Sequence, residues 1–191
     1  MPMKFLPSPF DHMASKNYIK TFPVVVAACC LGFALQANAE TAAQKTEAAY
    51  YPFGGAEELA IKAVKSANQS IFVAAEDITS GPFTQSLVEA HKRGVNVLVV
   101  LDKSQDKQHQ RGAKSLTKEG IQVHIDRKHT VMHNYYMVID GQTVEIGRFN
   151  YSQEAAKKSA DNVLVVWNSP DVAKSYRANW QEHWDHSDPY K

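Results

Sequence analysis

Cysteine is nearly missing from this chain of 191 residues: the two present, Cys29 and Cys30, are adjacent and lie before residue 40. The rest of the chain can therefore fold in an oxidising compartment without disulfides, and its stability has to come from a packed core. A membrane-length apolar run is missing too. The stretch from Phe22 to Leu35 falls short of the roughly 20 residues that a spanning helix needs. Nor does either charge dominate, with 21 basic against 20 acidic residues, so net charge gives no argument for nucleic acid. There is no internal repeat. What is present, 44% hydrophobic and 21% charged residues, suits one globular domain with an adequate core.

Residues 1–39 stand apart from that domain. Lys16 and Lys20 precede the apolar stretch, and Ala37-Asn38-Ala39 is a small-x-small cleavage pattern, so the segment reads as a secretory signal peptide cut near Ala39. Counting from Met13 gives a leader of ordinary length; residues 1–12 are then a start-site artefact. A membrane anchor is the alternative, and Val26-Ala-Ala-Cys29 faintly resembles a lipoprotein box, although the apolar run continues past it. Losing Lys4, Lys16, Lys20 and Asp11 leaves 18 basic and 19 acidic residues.

After an extended, alanine-rich segment over 40–55, a domain is expected over 56–191. Helical spacing of Leu59, Ala60, Ala63 and Val64 predicts a helix from Ala56 to Ala67, and Ser70–Ala75 reads as a short buried strand. A helix over Pro82–Arg93 stops at Gly94, and Asn96–Leu101 has the β-branched composition of a central strand. A helix from Lys107 to Glu119 stops at Gly120, Ile121–Ile125 is a strand, another helix begins at Ser152, and Val163–Trp167 is a strand. The last helix, opened by Ser169-Pro170, carries Val172, Tyr176, Trp180 and Trp184 at four-residue intervals, a stripe read as core or subunit interface rather than a base-stacking platform. The fold class is α/β, a mixed sheet flanked by helices on both faces. Lys103, Lys107, Arg111, Lys114 and Lys118 make a basic stripe, either a solvated helix face or a phosphate contact.

The most informative stretch is His133-Asn-Tyr-Tyr-Met-Val-Ile-Asp140-Gly141, followed by Gly147-Arg-Phe-Asn150. Two strand-like runs around an Asp-Gly turn signal predict a β-hairpin. Alternation puts His133 and Tyr135 on one face, and Arg148 and Asn150 on one face of the return strand. With Asp140-Gly141 as the loop, His133 opposes Arg148; with Gly141-Gln142, Tyr135 does.

This stretch resembles the HxKxxxxD and GSxN signature of the phospholipase D superfamily, in particular its small bacterial periplasmic endonucleases. AHKRGVNVLVVLDKSQ and DNVLVVWNSPDVAKSY look similar too, and the resemblance covers nearly all of the chain after residue 50. Two positions depart from the signature: Tyr135 replaces its lysine and Arg148 its serine. With one motif copy, the resemblance implies a homodimer that pairs two copies of His133 across a two-fold axis. It also implies a periplasmic or secreted enzyme in which one histidine attacks phosphorus and the other protonates the leaving oxygen, with no metal or cofactor required. His133 matches the nucleophile or acid, Asn150 the phosphate-contacting asparagine and Asp140 a carboxylate of more structural role. Asp161 falls where these nucleases have a glutamate that holds the histidine ring.

Histidine suits both tasks, and phosphoryl charge needs fixed cations and donors. Tyr135 offers one neutral hydroxyl. Arg148 brings a guanidinium fork suited to two phosphoryl oxygens. Two readings stand: Arg148 partly replaces the lysine, or the site has decayed. His129 and His133 have helical metal-ligand spacing but lie on a strand-like segment without a paired carboxylate motif. His183 and His186, near Asp185 and Asp188, offer a weak metal-binding pair, but read more simply as a solvated helix end. Three functions follow: a metal-independent, non-specific endonuclease acting on DNA or RNA, with phospholipid as the neighbouring substrate class; a silent module that binds nucleic acid or an anionic headgroup; or a structural envelope protein.

Overall fold

The computed structural model describes residues 43–51, 55–78, 80–106, 111–147, 151 and 160–191. In chain order the elements are β1 (Lys45–Tyr50), α1 (Ala56–Ser66), β2 (Ser70–Ala75), α2 (Gly81–Lys92) and β3 (Asn96–Asp102). There follow a 3-10 turn (Lys103–Asp106), α3 (Arg111–Lys118), β4 (Gln122–Asp126), β5 (Tyr136–Ile139), β6 (Thr143–Gly147), β7 (Asn162–Trp167), α4 (Pro170–His186) and β8 (Asp188–Pro189).

β-branched and small apolar residues give β2 and β3 two buried faces, and these strands form the centre of one sheet ordered β1-β7-β6-β5-β2-β3-β4-β8. β2, β3 and β4 run parallel, linked through helices, whereas the other pairings are antiparallel. Alternation divides the core cleanly. Ile71, Val73 and Ala75 of β2, Val97, Val99 and Leu101 of β3, and Met137 and Ile139 of β5 face α1, α2 and α3. Their neighbours Ala74, Val100, Tyr136 and Val138 face α4. The mixed sheet with helices on both faces is the architecture the alternating pattern implied. Gly94 and Gly120 adopt φ of 92° and 88° after α2 and α3, the left-handed backbone that ends a helix without a Cβ penalty.

The tryptophan stripe is core. Trp180 is fully buried and its indole N–H donates to the Val73 carbonyl at 2.8 Å, so the ring enters the interior with its polar atom satisfied. Phe72 lies 4.9 Å from it, and Arg177 caps both rings at 4.1 and 4.7 Å.

Three expectations change. Lys45–Tyr50 is not merely an extended lead-in, because it pairs residue for residue with β7 as an edge of the sheet. The basic stripe is broken: Lys103 sits in the 3-10 turn and donates to the His129 carbonyl at 2.8 Å, leaving Lys114 and Lys118 exposed on α3, while Lys107 lies outside the described residues. The hairpin loop has three residues, not two. Ile139 pairs with Thr143 and Tyr136 with Ile146, so Tyr135 lies against Gly147 and neither expected register holds. The helix expected from Ser152 also lies outside the described residues.

Candidate active site

The motif hairpin is tied to the middle of the sheet by its own carboxylate. Asp140 takes a left-handed backbone, φ 51°, at the start of the loop, and its side chain accepts the N–H groups of Asn68, Gln69 and Ser70, each at 2.8 Å. Three amides on one carboxylate lock the turn to the entrance of β2.

At the other end of β5, His133 lies in the loop after β4 with its ring exposed. Both neighbours are anchored. Met132 donates its N–H to Asp102 Oδ2 at 2.7 Å, and the Asn134 side-chain amide meets His183 Nε2 at 2.8 Å. Asp102 is buried at the end of β3, and its second oxygen takes the Ser104 N–H at 2.8 Å, so it fixes the loop that delivers His133.

Tyr135, half-buried, donates its hydroxyl to Glu76 just beyond β2. A phenol has one proton to give. With that proton directed at Glu76, the Tyr135 hydroxyl has only lone pairs to offer a further partner. Gly147, the motif glycine, is dictated by packing: a Cβ there would lie 2.1 Å from the Asn162 carbonyl oxygen on β7. Arg148 and Asn150 lie outside the described residues, as does Phe149.

A family model described as cardiolipin synthase, PLD-like domain, matches residues 60–184. The chain belongs to the phospholipase D superfamily. It is 30% identical over 141 residues to a phospholipase D of Rickettsia conorii (strain ATCC VR-613 / Malish 7), covering 74% of this chain and 70% of that one. A mitochondrial cardiolipin hydrolase of Chlamydomonas reinhardtii is 27% identical over 122 residues, with coverage of 63% and 53%. Among solved structures, the phospholipase D family member Nuc from Salmonella typhimurium matches with a TM-score of 0.74 at 30% identity, over 78% of this chain and 99% of Nuc.

In this phospholipase D-like domain Asp161 is buried immediately before β7, beside the strand end that carries Gly147. Glu145, on β6, faces the α1–α3 side of the sheet. Burial pushes its carboxyl up to about 8 against the pull of the Tyr151 hydroxyl, which donates to it. Tyr151 in turn stacks on Phe83 at 4.2 Å and its own hydroxyl is raised well above the usual phenol range, by burial and by the adjacent Glu145.

The histidines regroup. His129 and His133 do not form a pair; His129 joins His183 and His186 around Asp126, at the end of β4. His183 is buried, which corrects the solvated helix end. Burial raises the Asp126 carboxyl, but hydrogen bonds from His186, His183 and His129 outweigh it and hold the group well below the usual carboxylate range. Among the residues not singled out from sequence, Glu76, Asp102 and Asp126 share a readable signal. Each ends one of the three parallel strand runs, and the carboxyl ends of parallel strands are where α/β folds place their sites.

Proposed function

We propose that this phospholipase D domain is a phosphodiesterase of the nuclease type, cleaving DNA or RNA without sequence preference through a covalent phosphohistidine on His133, as a secreted or periplasmic homodimer. The observation that carries this reading is the exposed His133 ring, held between two anchored neighbours, in a chain that resembles Nuc over 78% of its own length and 99% of Nuc's. No helix of the described residues is long and apolar enough to cross a membrane.

In the proposed reaction a His133 nitrogen attacks phosphorus and the bond to the leaving oxygen breaks. His133 of the partner subunit gives that oxygen its proton. Water then attacks the phosphohistidine, returns a proton to the partner's His133 and frees the phosphate monoester. Arg148 and Asn150 are assigned to the phosphoryl oxygens, and Asp161 to orienting the histidine. Because Glu76 holds the Tyr135 proton, Arg148 is the motif residue left to supply charge.

A second reading, phospholipid as substrate, is favoured by the relatives named phospholipase D and cardiolipin hydrolase. Both substrates present a phosphodiester. The test is cleavage of plasmid and single-stranded DNA, beside headgroup release from anionic vesicles, in excess EDTA, by the chain and by His133→Ala. DNA cleavage that survives EDTA and disappears in the variant supports the nuclease; headgroup release alone supports the lipid reading. If neither substrate is cut either with or without EDTA, the enzyme reading fails. Sedimentation tests the dimer, and a monomer rules out a site made from two histidines.

A further inference from the structure

Asp126 closes β4 with a side chain that has no exposed surface. Its Oδ1 accepts the backbone N–H groups of Lys128 and His129 at 2.9 and 3.3 Å. Its Oδ2 faces three imidazoles at once: His129 Nδ1 at 2.8 Å, His183 Nδ1 at 2.8 Å and His186 Nε2 at 3.0 Å. A carboxylate oxygen has two lone pairs, so three ring nitrogens exceed what hydrogen bonding asks of it. The rings stand about Oδ2 as a three-bladed propeller, with centroids 5.1, 5.2 and 5.5 Å apart.

From this geometry we propose that Asp126, His129, His183 and His186 form a binding site for a divalent transition-metal ion of the zinc class. The four donor atoms lie within 4.8 Å of one another. A tetrahedral ion with bonds of about 2.0–2.1 Å separates its ligands by roughly 3.3 Å, so the oxygen-to-nitrogen distances open by a few tenths of an ångström while the wider nitrogen-to-nitrogen separations close around the ion. Three imidazoles and one carboxylate suit zinc, and four protein ligands make the closed set of a structural site.

The surroundings support the assignment. A cleft of about 450 Å³ reaches the cluster past Lys128, Glu182 and Asp185, and its two carboxylates outnumber its one ammonium. The second nitrogen of His183 is engaged by Asn134, the outer partner that a ligating histidine needs. Metal on Nδ1 leaves the proton on Nε2, so Asn134 turns its carbonyl oxygen toward the ring. The ion thereby clamps the last turn of α4 to the loop after β4 and fixes the residue that follows His133.

The test strips the full chain with chelator and titrates it with Co²⁺ and then Zn²⁺. The proposal expects one equivalent bound per chain, an intense visible Co²⁺ band of tetrahedral coordination that Zn²⁺ abolishes, and a rise in melting temperature on loading. His129→Gln and His186→Gln, at partly solvent-facing positions, should each weaken binding by at least about 100-fold, whereas His91→Gln on α2 should leave it unchanged. No retained metal, a weak octahedral Co²⁺ spectrum, or equal binding by the double variant His129→Gln/His186→Gln would overturn it. The stoichiometry and spectrum of the unaltered chain decide the question even if a variant misfolds.

Discussion

Glu145 makes the stability of this domain depend on pH in a direction that can be calculated. Its side chain is enclosed on β6 between Met137 and Val165 of the neighbouring strands, with the Tyr151 hydroxyl as its partner. The carboxyl titrates near 4.5 when unfolded and is pushed up to about 8 by burial when folded. Between those values the folded chain holds a proton that the unfolded chain releases. Stability is therefore full below about 4.5 and drains away as pH rises toward 8. The interval of 3.5 pH units, at about 1.36 kcal/mol each, is worth about 5 kcal/mol. That is a large part of the 5–15 kcal/mol typical of a domain.

Glu145→Gln keeps the shape, lets an amide oxygen accept from Tyr151, and removes the ionisation. Urea unfolding of both proteins at pH 5, 6, 7 and 8 and fixed ionic strength isolates the effect, because the histidines titrating in the same range are common to both. The variant should gain on the parent by several kcal/mol across the series. Parallel pH dependences would refute the reasoning and show that the Glu145 carboxylate ionises in the folded state at little cost.

Asp140→Ala frees three amides at the entrance of β2 and should cost about 2–3 kcal/mol in denaturant unfolding, while the cleavage rate of the folded fraction stays within about tenfold. Gly147→Ala drives a Cβ against the Asn162 carbonyl and should part β6 from β7, lowering stability by about 1–3 kcal/mol in a thermal melt. His133→Ala removes an exposed ring, so its melting temperature should match the parent while cleavage falls by at least about 10³-fold. A variant that loses activity and melts early would mean that His133 is a structural residue.

The sheet was legible because its core strands alternate or run continuously apolar, and because glycine stops mark where helices end. The edge was not. Lys45–Tyr50 has too little hydrophobic alternation to announce a strand, and becomes one only by pairing with β7. The Asp140-Gly141 signal located the hairpin but misplaced its register, since Asp140 spends its side chain on residues 68–70 and takes a left-handed backbone, and Gln142 joins the loop. Spacing along the chain offered His129 only His133, a pairing set aside because the segment reads as strand, whereas the fold pairs His129 with α4, 54 and 57 residues further on. Contacts of that sequence separation leave no local periodicity to read. The contact of Glu76 with Tyr135 stayed hidden for the same reason, since it joins two adjacent strands 59 residues apart.

That contact changes how the two motif replacements should be tested. Restoring the signature with Tyr135→Lys and Arg148→Ser is a direct way to separate a decayed site from one in which Arg148 has taken over. Yet a lysine at 135 would arrive beside the Glu76 carboxylate, which would neutralise the cation before a phosphate could use it. Loss of a single preorganised donor typically costs about 10²–10³ in rate, so a lysine silenced by Glu76 would mimic a failed restoration. The discriminating set adds Glu76→Gln. If the site has decayed, the triple variant should exceed the double by up to about 10²-fold in DNA cleavage, and Glu76→Gln alone should do little. If Arg148 carries the phosphate charge, both restored variants should lose activity because both lack it, and Arg148→Ser alone should lose as much. In that case Tyr135→Phe should leave cleavage nearly unchanged.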